Sequence, residues 1–113
     1  MSCKKDDVVY LYRAVSAAEF YSIMQSKQFS VLPTASNVKY FGLDFGETLN
    51  FAEKIGVLDI VAVVEVSVLR LTLEQIGDYT HVDPFLFKKG TVIIQQEHLN
   101  EFNAAIKSIR HRY

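Results

Sequence analysis

Apolar and polar positions along the chain fall into two periods, and the switches between them mark the elements. Val8-Val9-Tyr10-Leu11-Tyr12-Arg13 is β-branched and aromatic, which predicts a strand. Ser16-Ala17-Ala18-Glu19 follows as a capping box: the Ser hydroxyl takes one orphan N–H and the Glu reaches back to another. Ala17, Phe20, Tyr21 and Met24 then recur at i, i+3, i+4 and i+7, the apolar stripe of a helix. Phe29 to Leu32 predicts a short strand closed by Pro33, and Thr34 to Val38 a loop. Lys39 to Leu43 predicts a further strand. Asp44-Phe45-Gly46-Glu47 caps a helix to about Ile55, with Phe45, Leu49, Ala52 and Ile55 toward the core.

Asp59 to Leu69 is the longest strand signal. Ile60, Ala62, Val64, Val66 and Val68 share one face, and Val61 and Val63 are apolar on the other before Glu65 and Ser67. Such a strand is buried on both sides at first and on one side later, which predicts a central position. Thr72-Leu73-Glu74-Gln75 opens a single helical turn ending near Gly77. Tyr79 to Val82, Phe85 to Phe87 and Thr91 to Gln96 are strand signals. From His98 to about Arg110, Leu99, Phe102, Ile106 and Ile109 have helical spacing, and Lys107, Arg110, His111 and Arg112 would complement the dipole at the helix end. The order is not the regular βαβα of a doubly wound fold. It predicts an α+β domain over residues 8–113, with a mostly antiparallel mixed sheet and three main helices, after a disordered segment at 1–7.

Composition narrows the function classes. The chain has 113 residues, 50% hydrophobic and 22% charged, with a net charge of −1. A near-neutral domain has no bulk field to draw in nucleic acid. One Cys excludes an internal disulfide framework and a Cys-rich zinc site, and fits a reduced, cytoplasmic setting. No run approaches the ~20 apolar residues of a membrane helix, so no membrane partner is expected. His81, His98 and His111 are too far apart in sequence for a metal cluster, and no metal site is expected. There is no GxGxxG, GxxxxGK[ST] or GxSxG.

Three features offer chemistry. Arg13 at a strand end can hold a phosphate or a ribose, or be a solvated strand-end residue. Tyr40 and Phe41 alternate across a strand, so one ring can be core while the other stacks on a flat heteroaromatic ligand. Gln95 and Glu97, at i and i+2, can share a face where a carboxylate stabilises a developing oxocarbenium charge. Glu97 can equally be a first-turn helix residue favoured by the dipole.

Together, Leu11 to Ser26 (LYRAVSAAEFYSIMQS), Lys39 to Ala52 (KYFGLDFGETLNFA) and Gly90 to Phe102 (GTVIIQQEHLNEF) resemble the ADP-ribosyltransferase fold, which includes bacterial toxins and poly-ADP-ribose polymerases. The resemblance spans Tyr10 to Phe102. It implies a split, mostly antiparallel sheet and NAD as the substrate. It places NAD binding on Arg13 with Tyr40 or Phe41, and catalysis on Glu97 with Gln95. It also implies a toxin effector whose partners are a protein acceptor or a cognate antitoxin. The arginine-containing branch usually has Ser-Thr-Ser on its middle strand; here Thr34-Ala35-Ser36 precedes that strand. The alternative from another class is a non-catalytic protein-interaction module with the same fold.

Overall fold

A computed structural model describes residues 7–29, 38–55, 60–80 and 89–112. Six strands form one sheet: β1 (Val8–Ser16), β2 (Val38–Gly42), β3 (Ile60–Leu69), β4 (Gly77–Thr80), β5 (Thr91–Gln95) and β6 (Ile106–His111). Their spatial order is β4-β5-β2-β1-β3-β6, and every pairing is antiparallel, so the parallel component of a mixed sheet is absent among the described residues. Among the described residues four helices accompany them, not three: α1 (Ala17–Ser26), α2 (Phe45–Ile55), α3 (Arg70–Ile76) and α4 (Leu99–Ala104). A 3₁₀ turn, Gln96–His98, leads into α4.

The sheet is two three-stranded halves with a narrow join. β1 and β3 pair along their length, from Val8 opposite Leu69 to Ser16 opposite Ile60, and β2 pairs fully with β5. β1 and β2 pair at one position only, Tyr12 opposite Gly42. Beyond it toward Arg13 the two halves part.

Alternation assigns the faces. Leu11 and Val15, Val64, Val66 and Val68, Phe41, and Val92 and Ile94 point to one face, where they bury against Ile23 of α1, Leu73 and Ile76 of α3 and Phe102 of α4. Phe29, Phe41 and Phe102 meet there as a ring cluster, with centroids 5.1 to 5.8 Å apart. α2 lies on the opposite face, where the Phe45 ring sits 5.9 Å from that of Tyr12.

The caps expected at Ser16 and Asp44 form, but the one at Thr72 does not: α3 starts at Arg70, after Leu69, with no side-chain cap, and the Glu19 carboxylate binds Arg13. The Ser16 hydroxyl accepts the Glu19 N–H at 3.2 Å, and the Asp44 carboxylate accepts that of Glu47 at 3.0 Å. The backbone N–H of Glu47 is the main reason the Asp44 carboxyl is held below its ordinary range. The stripe on α1 is rotated from the expected one: Glu19 and Ile23 are buried, while Ala17 and Tyr21 are exposed.

The last helix is the main correction. α4 ends at Ala104, and Ile106 to His111 is an edge strand on β3. Val68 lies opposite Ile106 and Ser67 opposite Ser108, so Lys107 is the extra residue of a bulge. The bulge puts Ile106 and Ile109 on the same face, because their partners Val68 and Val66 are two residues apart. A spacing of three is thus a strand with one inserted residue, which imitates helical periodicity.

That strand also changes the reading of β3. Glu65 and Ser67 were expected on a side left to solvent, yet both are buried. Glu65 takes the Tyr12 hydroxyl at 2.9 Å, Arg112 Nη1 at 2.7 Å and Arg110 Nε at 3.2 Å. Ser67 pairs with Ser108 at 2.7 Å. Two of the cations expected at a helix end, Arg110 and Arg112, instead neutralise this carboxylate. Burial, followed by the Glu65 hydrogen bond, pushes the Tyr12 hydroxyl pKa up. Asp7 is fixed by Arg70, through a 2.7 Å ion pair and a 2.9 Å backbone hydrogen bond. The expectations on Met1 to Asp6, on Ser30 to Leu32 in the short strand begun at Phe29, on Thr34-Ala35-Ser36, and on His81 and Phe85 to Phe87 lie outside the described residues. No helix among the described residues is long and apolar enough to cross a membrane.

Candidate functional site

Arg13 stands where β1 and β2 part. Its side chain starts on the core face, between Leu11 and Val15, so an unpaired guanidinium would be costly there. Glu19, one turn into α1, takes the side fork: Nε donates to Oε2 at 2.6 Å and Nη2 to Oε1 at 3.2 Å. Nη1 donates to the main-chain carbonyl of Tyr40 at 2.9 Å. Strand carbonyls point in the plane of the sheet, so the guanidinium lies in the gap between β1 and β2. It sits 5.9 Å from the centre of the Phe41 ring. The pair is largely shielded, at 18% and 11% side-chain exposure. A guanidinium has five N–H groups, and three are used here. Among the described residues, one N–H on Nη1 and one on Nη2 have no partner and can meet an oxyanion.

Tyr40 and Phe41 divide as strand alternation requires. Phe41 is fully buried and belongs to the aromatic core, so it has no surface for a ligand. Tyr40 is 43% exposed on the opposite face. There Tyr40 lies opposite Ile93, and Gln95 is two residues further along β5 on the same face. Tyr40 and Gln95 are therefore diagonal neighbours, with Cα atoms about 7–8 Å apart. Asp78 of β4 lies opposite Ile93 on its other side, and Gln95 Nε2 approaches the Asp78 carboxylate at 3.5 Å.

Glu97 does not share a strand face with Gln95, because β5 ends at Gln95 and Glu97 lies in the 3₁₀ turn. Both nonetheless line one open depression of about 510 Å³ with Gln96 and Asn100. Glu97 is 78% exposed there, with its carboxylate 3.9 Å from His98 Nε2. His98 Nδ1 is 3.0 Å from Glu101, and that hydrogen bond is the main cause of a raised His98 pKa, with Glu97 and Asp78 adding to it.

Gln95 and Glu97 thus meet in one depression, with Tyr40 on the adjoining strand. Arg13 is separate. Three residues along the strands and two strands across put it on the order of 14 Å from Gln95. Three groups escaped the sequence reading: Glu19, Asp78 and Glu65. Glu19 looked fully explained by its capping role, and the other two meet their partners only through strand register. No three His, Cys, Asp or Glu residues gather as metal ligands among the described residues. No family model, curated protein or solved structure matches the chain.

Proposed function

We propose that the chain is an ADP-ribosyltransferase-like domain that binds NAD across the join of the sheet halves and passes ADP-ribose to a macromolecular acceptor. The observation that carries this reading is the Arg13 guanidinium, which reaches from the core face to the join with two N–H groups unclaimed among the described residues, while Tyr40 and Gln95 lie on the other face of the same sheet. The separation suits an extended dinucleotide. Arg13 holds a phosphate, the exposed Tyr40 ring stacks on a heteroaromatic end, and Phe41 acts only as core beneath the guanidinium. The glycosidic bond breaks with its electron pair leaving on nicotinamide. The ribose carbon then bonds to the acceptor nucleophile, which gives up its proton. Glu97 stabilises the positive charge that develops on the ribose, and Gln95 places the acceptor. An effector role in a bacterial toxin system, with a protein acceptor or a cognate antitoxin as partner, belongs to the same reading.

Calorimetric titration of NAD into the purified protein tests it. Saturable binding is expected, weakened about tenfold in Arg13→Ala and also weakened in Tyr40→Ala. Absence of heat in the folded wild type would reject it. A second reading, a non-catalytic module of the same fold, is favoured by one observation: Glu19 already neutralises Arg13. That reading expects no NAD consumption and no effect of Glu97→Gln beyond stability.

A further inference from the structure

The order of strands leaves β6 at one edge of the sheet, with no strand on its outer side among the described residues. From Ile106 to Arg112 the segment carries Lys107, Arg110, His111 and Arg112 and no acid, in a chain whose net charge is −1. Glu65 offsets one of the two arginines that reach it, so the edge keeps excess positive charge. Lys107 is exposed at the bulge, and Arg110 is 63% exposed despite its contact with Glu65.

We propose that β6 takes up an acidic, extended peptide segment of a protein partner as a seventh strand. Alternation sets the pattern of that segment. From Ser108 to His111 the register with β3 is regular, so an added strand can follow it without meeting the bulge. On the core face it runs beside Ile109, which packs against the core, and His111, whose ring lies 4.8 Å from Phe20. Apolar side chains fit there. On the other face it runs beside Ser108 and Arg110, where acidic side chains find a cation. The partner strand therefore alternates apolar and acidic residues. A second copy pairing β6 with β6 would set Arg110 and Lys107 near their own kind, which destabilises a cross-strand pair. Lysine on an edge strand opposes self-pairing through like charge, which an acidic strand does not meet, and the bulge lies outside Ser108 to His111. A nucleic acid would meet the charge but leave the backbone donors and acceptors of the edge without a ladder.

The test uses the whole protein with a short peptide of alternating valine and glutamate, and a valine–lysine peptide as control. Binding is followed by NMR of the backbone amides. The valine–glutamate peptide is expected to shift the Ser108 to His111 amides and to protect that of Ile109, which points away from β3 while those of Ser108 and Arg110 bond it, with an affinity that falls as salt rises. Lys107→Glu combined with Arg110→Gln is expected to weaken it about tenfold, while Arg112 keeps Glu65 paired. A melting curve on that variant separates lost binding from lost fold, and Lys107→Glu alone, which removes no ion pair among the described residues, is expected to weaken binding in the same direction. Equal binding of the valine–lysine peptide would overturn the proposal. So would shifts confined to other strands, self-association that perturbs the same amides, or an oligonucleotide binding there more tightly than the acidic peptide.

Discussion

Arg13 and Glu19 close the turn from β1 into α1 with a two-point ion pair, Nε to Oε2 at 2.6 Å and Nη2 to Oε1 at 3.2 Å. The third arm of the guanidinium reaches the Tyr40 carbonyl, so one side chain ties together β1, α1 and β2 at the point where the sheet divides. Its role in the fold and its proposed role toward NAD use different N–H groups.

Arg13→Ala is expected to destabilise the domain by about 1.5–3 kcal/mol, because the shielded Glu19 carboxylate loses two charge-assisted hydrogen bonds. Arg13→Lys should recover only part of this, since an ammonium cannot make the two-point contact. Urea unfolding of the two variants checks the order. Equal stability of Arg13→Ala and wild type would mean that the pair is solvated.

Ser16→Ala is expected to cost about 0.5–2 kcal/mol through loss of the α1 cap. NAD affinity should not follow, because the hydroxyl faces the Glu19 N–H rather than the gap. A denaturant midpoint equal to that of wild type would count against the cap.

His98 gives a pH signature beside Glu97. Its hydrogen bond to Glu101 raises its pKa above the ordinary 6.5. Its stabilising contribution is therefore complete below that value and disappears as pH rises through the higher folded-state pKa. An NMR titration of the His98 ring should show the raised midpoint in wild type and a lower one in Glu101→Gln. A midpoint that ignores the substitution would show that the contact does not persist in solution.

Local signals carried much of the fold. Ser16 and Asp44 mark two helix starts because a cap is a contact within four residues, and the apolar alternation from Asp59 to Leu69 marks β3, described from Ile60. The chain from Ile106 onward misled because a bulge at Lys107 gives Ile106 and Ile109 the spacing of a helix. Arg110 and Arg112, two apart and both reaching Glu65, carried the strand period in the same stretch. The site was legible in part. Alternation foretold that Tyr40 and Phe41 would separate, but the pairing of Arg13 with Glu19 was hidden behind the capping role of Glu19. The strand period could not place Glu97, because β5 ends before it.

The most direct test is release of nicotinamide from NAD by wild type and by Glu97→Gln, both confirmed folded. Glu97 lies exposed in a depression with Gln95, Gln96 and Asn100, so the substitution keeps shape and packing while removing the charge. Wild type is expected to release nicotinamide, and Glu97→Gln to lower turnover by ~10²-fold or more with little change in NAD affinity, as for the loss of one preorganised electrostatic group. No release by folded wild type, or equal release by both proteins, would contradict the transferase reading and leave the chain as a binding module on the same fold.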